Sequence, residues 1–273
     1  MGPARHHVRV TEPPDRPRRL LVAVAHPDDE TFGAGSLIAH EAQAGVEVTV
    51  LCATRGEAGQ PPDWLTPDQD LGEVRAAELH RAADVLGAAR VVLLDFADSD
   101  MTGDMPAGAL AAVALDDVVA QVRDVLADVG PDCVVTLDPT NGDGHRDHVR
   151  MGEATISACA DQPDLPVYIW SLPRPLLQRW FDELARSRPD AGHLALDLDV
   201  AGVGRTENDV TTVLDTAPLA DVRRRAVAEH ASQKPPFADM PDELTDEFLS
   251  RDVLVRVQPA WTGGSRETGL RYR

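Results

Sequence analysis

The chain has 273 residues, 43% of them hydrophobic, which is enough to enclose one large α/β core. Its 46 acidic against 26 basic residues give a formal charge of −20, which argues against a nucleic-acid backbone or an anionic membrane as partner and for a small molecule. No apolar run approaches the roughly 20 residues of a membrane span, and the polar start lacks the apolar centre of a secretory signal, so a cytoplasmic protein is expected.

Residues 1–19, rich in proline and arginine, read as a flexible tail, and residues 20–273 as a single α/β domain. Leu20–Ala25 is a short, unbroken apolar run, the mark of a strand buried on both faces, and it ends abruptly in His26-Pro27-Asp28-Asp29-Glu30. Phe32, Leu37, Ile38 and Ala42 then recur at helical spacing up to Gly45, and Val46–Cys52 reads as a second strand, which completes a βαβ unit. The pattern repeats through a polar loop (Arg55–Asp70), a helix (Gly72–Leu86) and a strand (Arg90–Leu94), and again through a helix over Ala107–Val129 and a strand over Cys133–Leu137. A helix from Gly144 to Ala160 and a fifth strand, Leu165–Ser171, follow.

Such alternation predicts a Rossmann-like, mostly parallel sheet with helices on both faces. Beyond it the periodicity weakens. Leu176–Leu184 suggests a helix, Leu194–Val200 and Asp209–Leu214 suggest strands, and Leu219–Ser232 is helical; residues 172–273 are expected to form an appended C-terminal lobe that shapes the pocket. Cys52, Cys133 and Cys159 sit far apart in apolar segments, as small core residues do.

Ligands of open α/β sheets bind beyond the carboxyl ends of the strands, where strand order reverses. Two dense polar clusters fall at such ends: His26-Pro27-Asp28-Asp29-Glu30 after the first strand, and Gly142-Asp143-Gly144-His145-Arg146-Asp147-His148 after the fourth. Catalytic zinc takes three protein ligands and keeps one position open. His26, Asp29 and His148 supply that set, although two histidines and one carboxylate suit Fe(II) as well. Asp28, beside a ligand, is placed to act as general base toward a metal-activated water. His145, one helical turn before His148, is expected as the acid that steadies the oxyanion and protonates the departing amine, with Asp147 hydrogen-bonded to it and holding it cationic. Each of these residues alone has a plainer reading: a loop histidine is usually a surface group, and Asp28 or Asp143 is the kind of residue that caps a helix. That reading accounts for one carboxylate at a time, not for all of these groups on converging loops.

These residues resemble the PIG-L/LmbE-like family of zinc-dependent N-acetylglucosaminyl deacetylases. The resemblance rests on Ala25-His26-Pro27-Asp28-Asp29-Glu30 and Gly144-His145-Arg146-Asp147-His148, and extends through Arg55-Gly56-Glu57, Arg75-Ala-Ala-Glu78, Asp98-Ser99-Asp100-Met101 and Ala228-Glu-His230-Ala-Ser-Gln233. It implies zinc on His26, Asp29 and His148, Asp28 as base and His145 as acid. It also implies Arg75 as a substrate contact and Asp98 as an acceptor for a sugar hydroxyl. The substrate it implies is a small acylated amino sugar or glycosylated metabolite, and a homo-oligomer is compatible with the sequence. Without the resemblance, Arg75 and Glu78 at i and i+3 would be an exposed ion pair and Asp98 an Asx turn. Asp143 departs from a tyrosine found there in some thiol-biosynthesis members. His230, near Gln233, reads as a helix-surface residue with the pocket edge as the alternative, and Ile169–Pro175 as a pocket wall.

Two other activities compete. An amidase of thiol-sugar conjugates would use the same metal on a bulkier amide. A non-catalytic nucleotide-binding module would need a glycine fingerprint after the first strand, where this chain has carboxylates that repel phosphate.

Overall fold

The computed structural model describes residues 16–140, 142–187, 202–238 and 240–273. Its centre is a seven-stranded sheet of β1 (Arg19–Val24), β2 (Glu47–Cys52), β3 (Arg90–Leu93), β4 (Cys133–Leu137), β5 (Val167–Ser171), β6 (Thr212–Asp215) and β7 (Arg251–Gln258), in the order β3-β2-β1-β4-β5-β7-β6. The first five strands are parallel, as βαβ crossovers require, and β1, β2 and β4 are apolar along nearly their whole length because helices cover both faces. The connecting helices are α1 (Asp29–Phe32), α2 (Gly35–Gln43), α3 (Leu71–Leu86), α4 (Leu115–Val129), α5 (Arg146–Cys159), α6 (Arg174–Ser187), α7 (Ala220–Glu229) and α8 (Asp242–Leu249). The three cysteines are free and buried.

Strand order reverses at β1, which has β2 on one side and β4 on the other. Ala23 lies beside Thr136 in the β1/β4 register, so the loops that leave these two strands emerge next to each other. That register brings together two clusters more than a hundred residues apart in sequence.

Two helices are shorter than the sequence predicts, and the C-terminal third adds strands to the sheet. The helix expected from Ala107 starts only at Leu115: Gly108 takes φ 78°, and a bridge between Ala97 and Ala109 uses the backbone groups that a helix would need, with Ala97 N–H on Gly108 O at 3.0 Å and Leu110 N–H on Ala97 O at 2.9 Å. The C-terminal third, expected as an appended lobe, contributes β7 and β6 antiparallel to the main sheet. No strand was expected over Arg251–Gln258 because its charges mask the pattern. Asp252 and Arg256 are nonetheless buried, neutralised by Arg223 and Glu267. The helix expected to run to Ser232 stops at Glu229, and the strand expected over Leu194–Val200 lies outside the described residues.

Candidate metal centre

The first cluster begins where β1 ends. Pro27 cannot extend the sheet, and the chain turns through Asp28, whose φ of 116° is rare and costly for a residue with a side chain. The turn is held from several sides. Asp28 N–H donates to Glu30 Oε2 at 2.9 Å, and Asp29 Oδ2 accepts from the backbone of Ala25 and His26 at 3.2 and 2.9 Å. From α3, Arg75 donates to Pro27 O (2.6 Å), Asp28 Oδ2 (2.9 Å) and Gly56 O (2.6 Å). Gly56 must be glycine here: it has φ 67°, and a Cβ on it would lie 2.3 Å from the Arg75 guanidinium.

The second cluster starts α5. His145 is its N-cap, with Nδ1 accepting the Asp147 N–H at 3.1 Å, so its ring proton sits on Nε2. His148, one turn later, faces the first cluster. His26 Nδ1 and His148 Nε2 are 3.3 Å apart; Asp29 places Oδ1 3.2 Å from His148 Nε2 and Oδ2 3.6 Å from His26 Nδ1.

These separations are close to those of a metal site, with Asp29 turning one oxygen to each ring. A tetrahedral zinc with bonds of about 2.0–2.1 Å has ligand-to-ligand edges of about 3.3–3.4 Å. Both imidazoles also carry the outer carboxylate that metal-binding histidines typically have. Asp147 Oδ2 lies 3.2 Å from His26 Nε2 and is fixed by the Ser99 N–H at 2.9 Å; Asp143 Oδ1 lies 2.9 Å from His148 Nδ1.

Electrostatics agree with the geometry. Although burial lowers the pKa of His26 and His148, the surrounding carboxylates outweigh it and raise His26 well above the ordinary imidazole range and His148 to about 10. Asp29 is held well below the carboxylate range, against the effect of its burial, chiefly by His148. So many carboxylates around these rings call for positive charge, which a divalent cation supplies. Asp28 is pushed up to about 6 by burial and by Asp29, against the pull of Arg75. His145 is lowered by burial and by the two neighbouring histidines.

The expected site residues therefore gather in one place, with some changes of part. His26, Asp28, Asp29, Arg75, Asp98, His145 and His148 all line one cavity of about 700 Å³. The Asp147 carboxylate bonds His26, not His145, so it does not hold His145 cationic; the backbone of α5 puts its N–H, not its side chain, on that ring. Arg75 and Glu78 do not form an exposed ion pair, since both are buried and Glu78 takes the Ser232 N–H and hydroxyl. Asp98 makes an Asx turn onto the Asp100 N–H (2.9 Å) and also borders the cavity, with Oδ1 3.6 Å from His26 Nε2. His230 is fully buried rather than on a helix surface, with Nε2 2.7 Å from Glu30 Oε1. Sequence reasoning missed Glu30 as the clamp on Asp28 and Asp143 as the partner of His148. The only signal available for Asp143 was an acid five residues before a candidate ligand histidine.

The family model PIG-L, described as GlcNAc-PI de-N-acetylase, matches residues 21–159. A 1D-myo-inositol 2-acetamido-2-deoxy-alpha-D-glucopyranoside deacetylase from Streptomyces avermitilis is 34% identical over 93% of this chain and 96% of its own length. Among solved structures, an N,N'-diacetylchitobiose deacetylase from Pyrococcus horikoshii superposes with a TM-score of 0.56 at 22% identity, covering 85% of this chain and 75% of the other. A 4-carboxy-2-hydroxymuconate hydratase from Pseudomonas putida gives 0.56 at 20%, covering 90% and 99%, so the fold by itself does not name the reaction. The match to the family model and the extent of the curated relative are what name it: the chain belongs to the PIG-L family, and is a hydrolase of that family.

Proposed function

We propose that the protein removes the acetyl group from an N-acetylglucosamine-like amino sugar or its conjugate, with His26, Asp29 and His148 holding a zinc ion. Nitrogen and oxygen donors suit zinc, and the same residue types accept Fe(II). The ion, when bound, polarises the amide carbonyl and lowers the pKa of water to about 7.

The chain's own residues do the rest. Asp28, with a pKa pushed up to about 6, is ionised at neutral pH yet basic enough to take a proton from the attacking water. Arg75 grips its Oδ2 and so presents Oδ1 for that transfer. His145, neutral with Nδ1 accepting the Asp147 N–H, donates a hydrogen bond from Nε2–H to the developing oxyanion, and the proton that Asp28 took from water passes to the departing nitrogen. Asp147 and Asp143 keep His26 and His148 in register. Asp98, on the cavity wall beside His26, accepts from a sugar hydroxyl, and Arg75 borders the same side.

The observation that carries this reading is the convergence of His26 Nδ1, Asp29 and His148 Nε2 at 3.2–3.6 Å in the cavity that Asp28 also lines. The test uses protein stripped of metal and reconstituted with one equivalent of zinc or Fe(II). N-acetylglucosamine, its 1D-myo-inositol glycoside and an amide of a thiol-sugar conjugate are offered, with free amine as the readout. Amine release from an acetamido sugar that depends on the metal is expected; no release from any acetamido sugar with either metal overturns the proposal.

A further inference from the structure

The cavity has two unlike ends. Its polar end, on the side of β2 and β3, carries Arg75 and Asp98; the metal ligands lie in the middle, at β1 and β4; and at the side of β5 the wall is formed by Trp170, Leu172, Leu177, Trp180, Phe181 and Phe248. Leu177, Trp180 and Phe181 stand at i, i+3 and i+4 on α6, one face of that helix. Trp170 and Trp180 each meet Phe248 edge to face, at 6.5 and 6.1 Å between centroids, so the wall is interlocked rather than a scatter of loose side chains.

Two polar groups nearby are already served, and the indole N–H of Trp180, which has no partner among the described residues, is itself shielded from solvent. The Ser171 hydroxyl donates to Asp138 Oδ2 at 3.0 Å, and Arg205 closes on the same carboxylate with bonds of 2.7 and 2.9 Å. Hydroxyls placed in this arm would lose water without gaining partners, at a cost of about 1–3 kcal/mol for each group left unpaired. Volume points the same way. Even at the liquid-water share of about 30 Å³ per heavy atom, the fifteen heavy atoms of an N-acetylhexosamine need roughly 450 Å³. The cavity holds about 700 Å³.

We propose that this arm is a subsite for an apolar chain carried by the substrate next to its scissile amide. The proposal rests on the deacylase reading above and narrows its substrate class: an amino sugar whose ring hydroxyls lie toward Asp98 and whose apolar part lies along α6. Two positions on such a sugar reach the arm, the acyl group itself and the substituent on the neighbouring anomeric carbon.

Two substrate series given to the zinc-loaded enzyme, below micelle-forming concentrations, separate them. One lengthens the acyl group of glucosamine from acetyl to octanoyl; the other lengthens the alkyl group of 2-acetamido-2-deoxyglucosides from methyl to octyl. In one series kcat/KM is expected to climb about three- to fourfold per methylene until the arm is full. A rise with acyl length assigns the arm to the acyl chain, and a rise with glycoside length assigns it to the aglycone. Trp180→Ser and Phe181→Ser are each expected to flatten the rising series. If both series are flat or falling while acetyl is still released, the apolar subsite is overturned and the deacetylase reading stands. If no member releases amine, both fall together.

Discussion

His230 Nε2 lies 2.7 Å from Glu30 Oε1, and neither side chain reaches solvent. The other Glu30 oxygen holds the Asp28 N–H, so a histidine from the end of α7 reaches, through one carboxylate, the strained residue assigned as base.

This link predicts a kinetic defect rather than loss of metal. His230→Ala leaves Glu30 Oε1 with the Thr31 hydroxyl alone and loosens the hold on Asp28 at φ 116°, and a displaced catalytic group costs on the order of 10- to 100-fold in kcat. Zinc content measured on the purified variant should match the parent, KM should change less than kcat, and His230→Gln should recover part of the rate. Loss of zinc in His230→Ala would contradict the assignment.

Asp28→Asn removes the proposed base and keeps nearly the same shape. Turnover should fall by roughly 10²- to 10⁴-fold while the protein still binds one zinc by elemental analysis. A variant that loses its zinc would make Asp28 a ligand instead.

The ligand set predicts the opposite pattern. His148→Ala should purify without stoichiometric metal. Asp143→Asn, which leaves the ligand and weakens only its outer partner at 2.9 Å, should loosen zinc by about 10- to 100-fold in a competition titration against a chelator.

With Asp28 as the proposed base, its protonation is expected to set the acid limb of activity. Its carboxyl is raised to about 6 by burial, and only the ionised form accepts a proton, so kcat/KM should be full above that value and fall as pH drops through it. A bound divalent ion moves the limb lower, never higher. The profile should lose this limb in Asp28→Asn, read from whatever residual rate remains.

Arg223 predicts a stability effect. It is fully buried and donates to the carbonyls of Thr31, Phe32 and Gly33, the segment directly behind the first cluster, and it faces Asp252. Arg223→Met takes the donor from those carbonyls and the counter-charge from the buried Asp252 carboxylate, and should cost about 3–5 kcal/mol. The urea midpoint should drop at constant m-value.

Much of this protein is legible in its sequence by itself. Apolar runs such as Leu20–Ala25 mark strands covered on both faces, helical spacing fills the intervals, and the alternation fixes a parallel sheet whose strand ends must carry the site. His26, Asp28, Asp29, His145 and His148 are readable for the same reason: ionisable groups packed that densely beside a buried strand demand a function or a partner. Only the tertiary structure decided which group serves which. Asp147 turns to His26 and not to His145, Asp143 supports His148, and Glu30 and His230 stand behind Asp28, because hydrogen bonds depend on angles and approaches that sequence spacing does not encode. The same holds for β7. Its buried Asp252 and Arg256 look like surface charges until Arg223 and Glu267, remote in sequence, arrive to neutralise them.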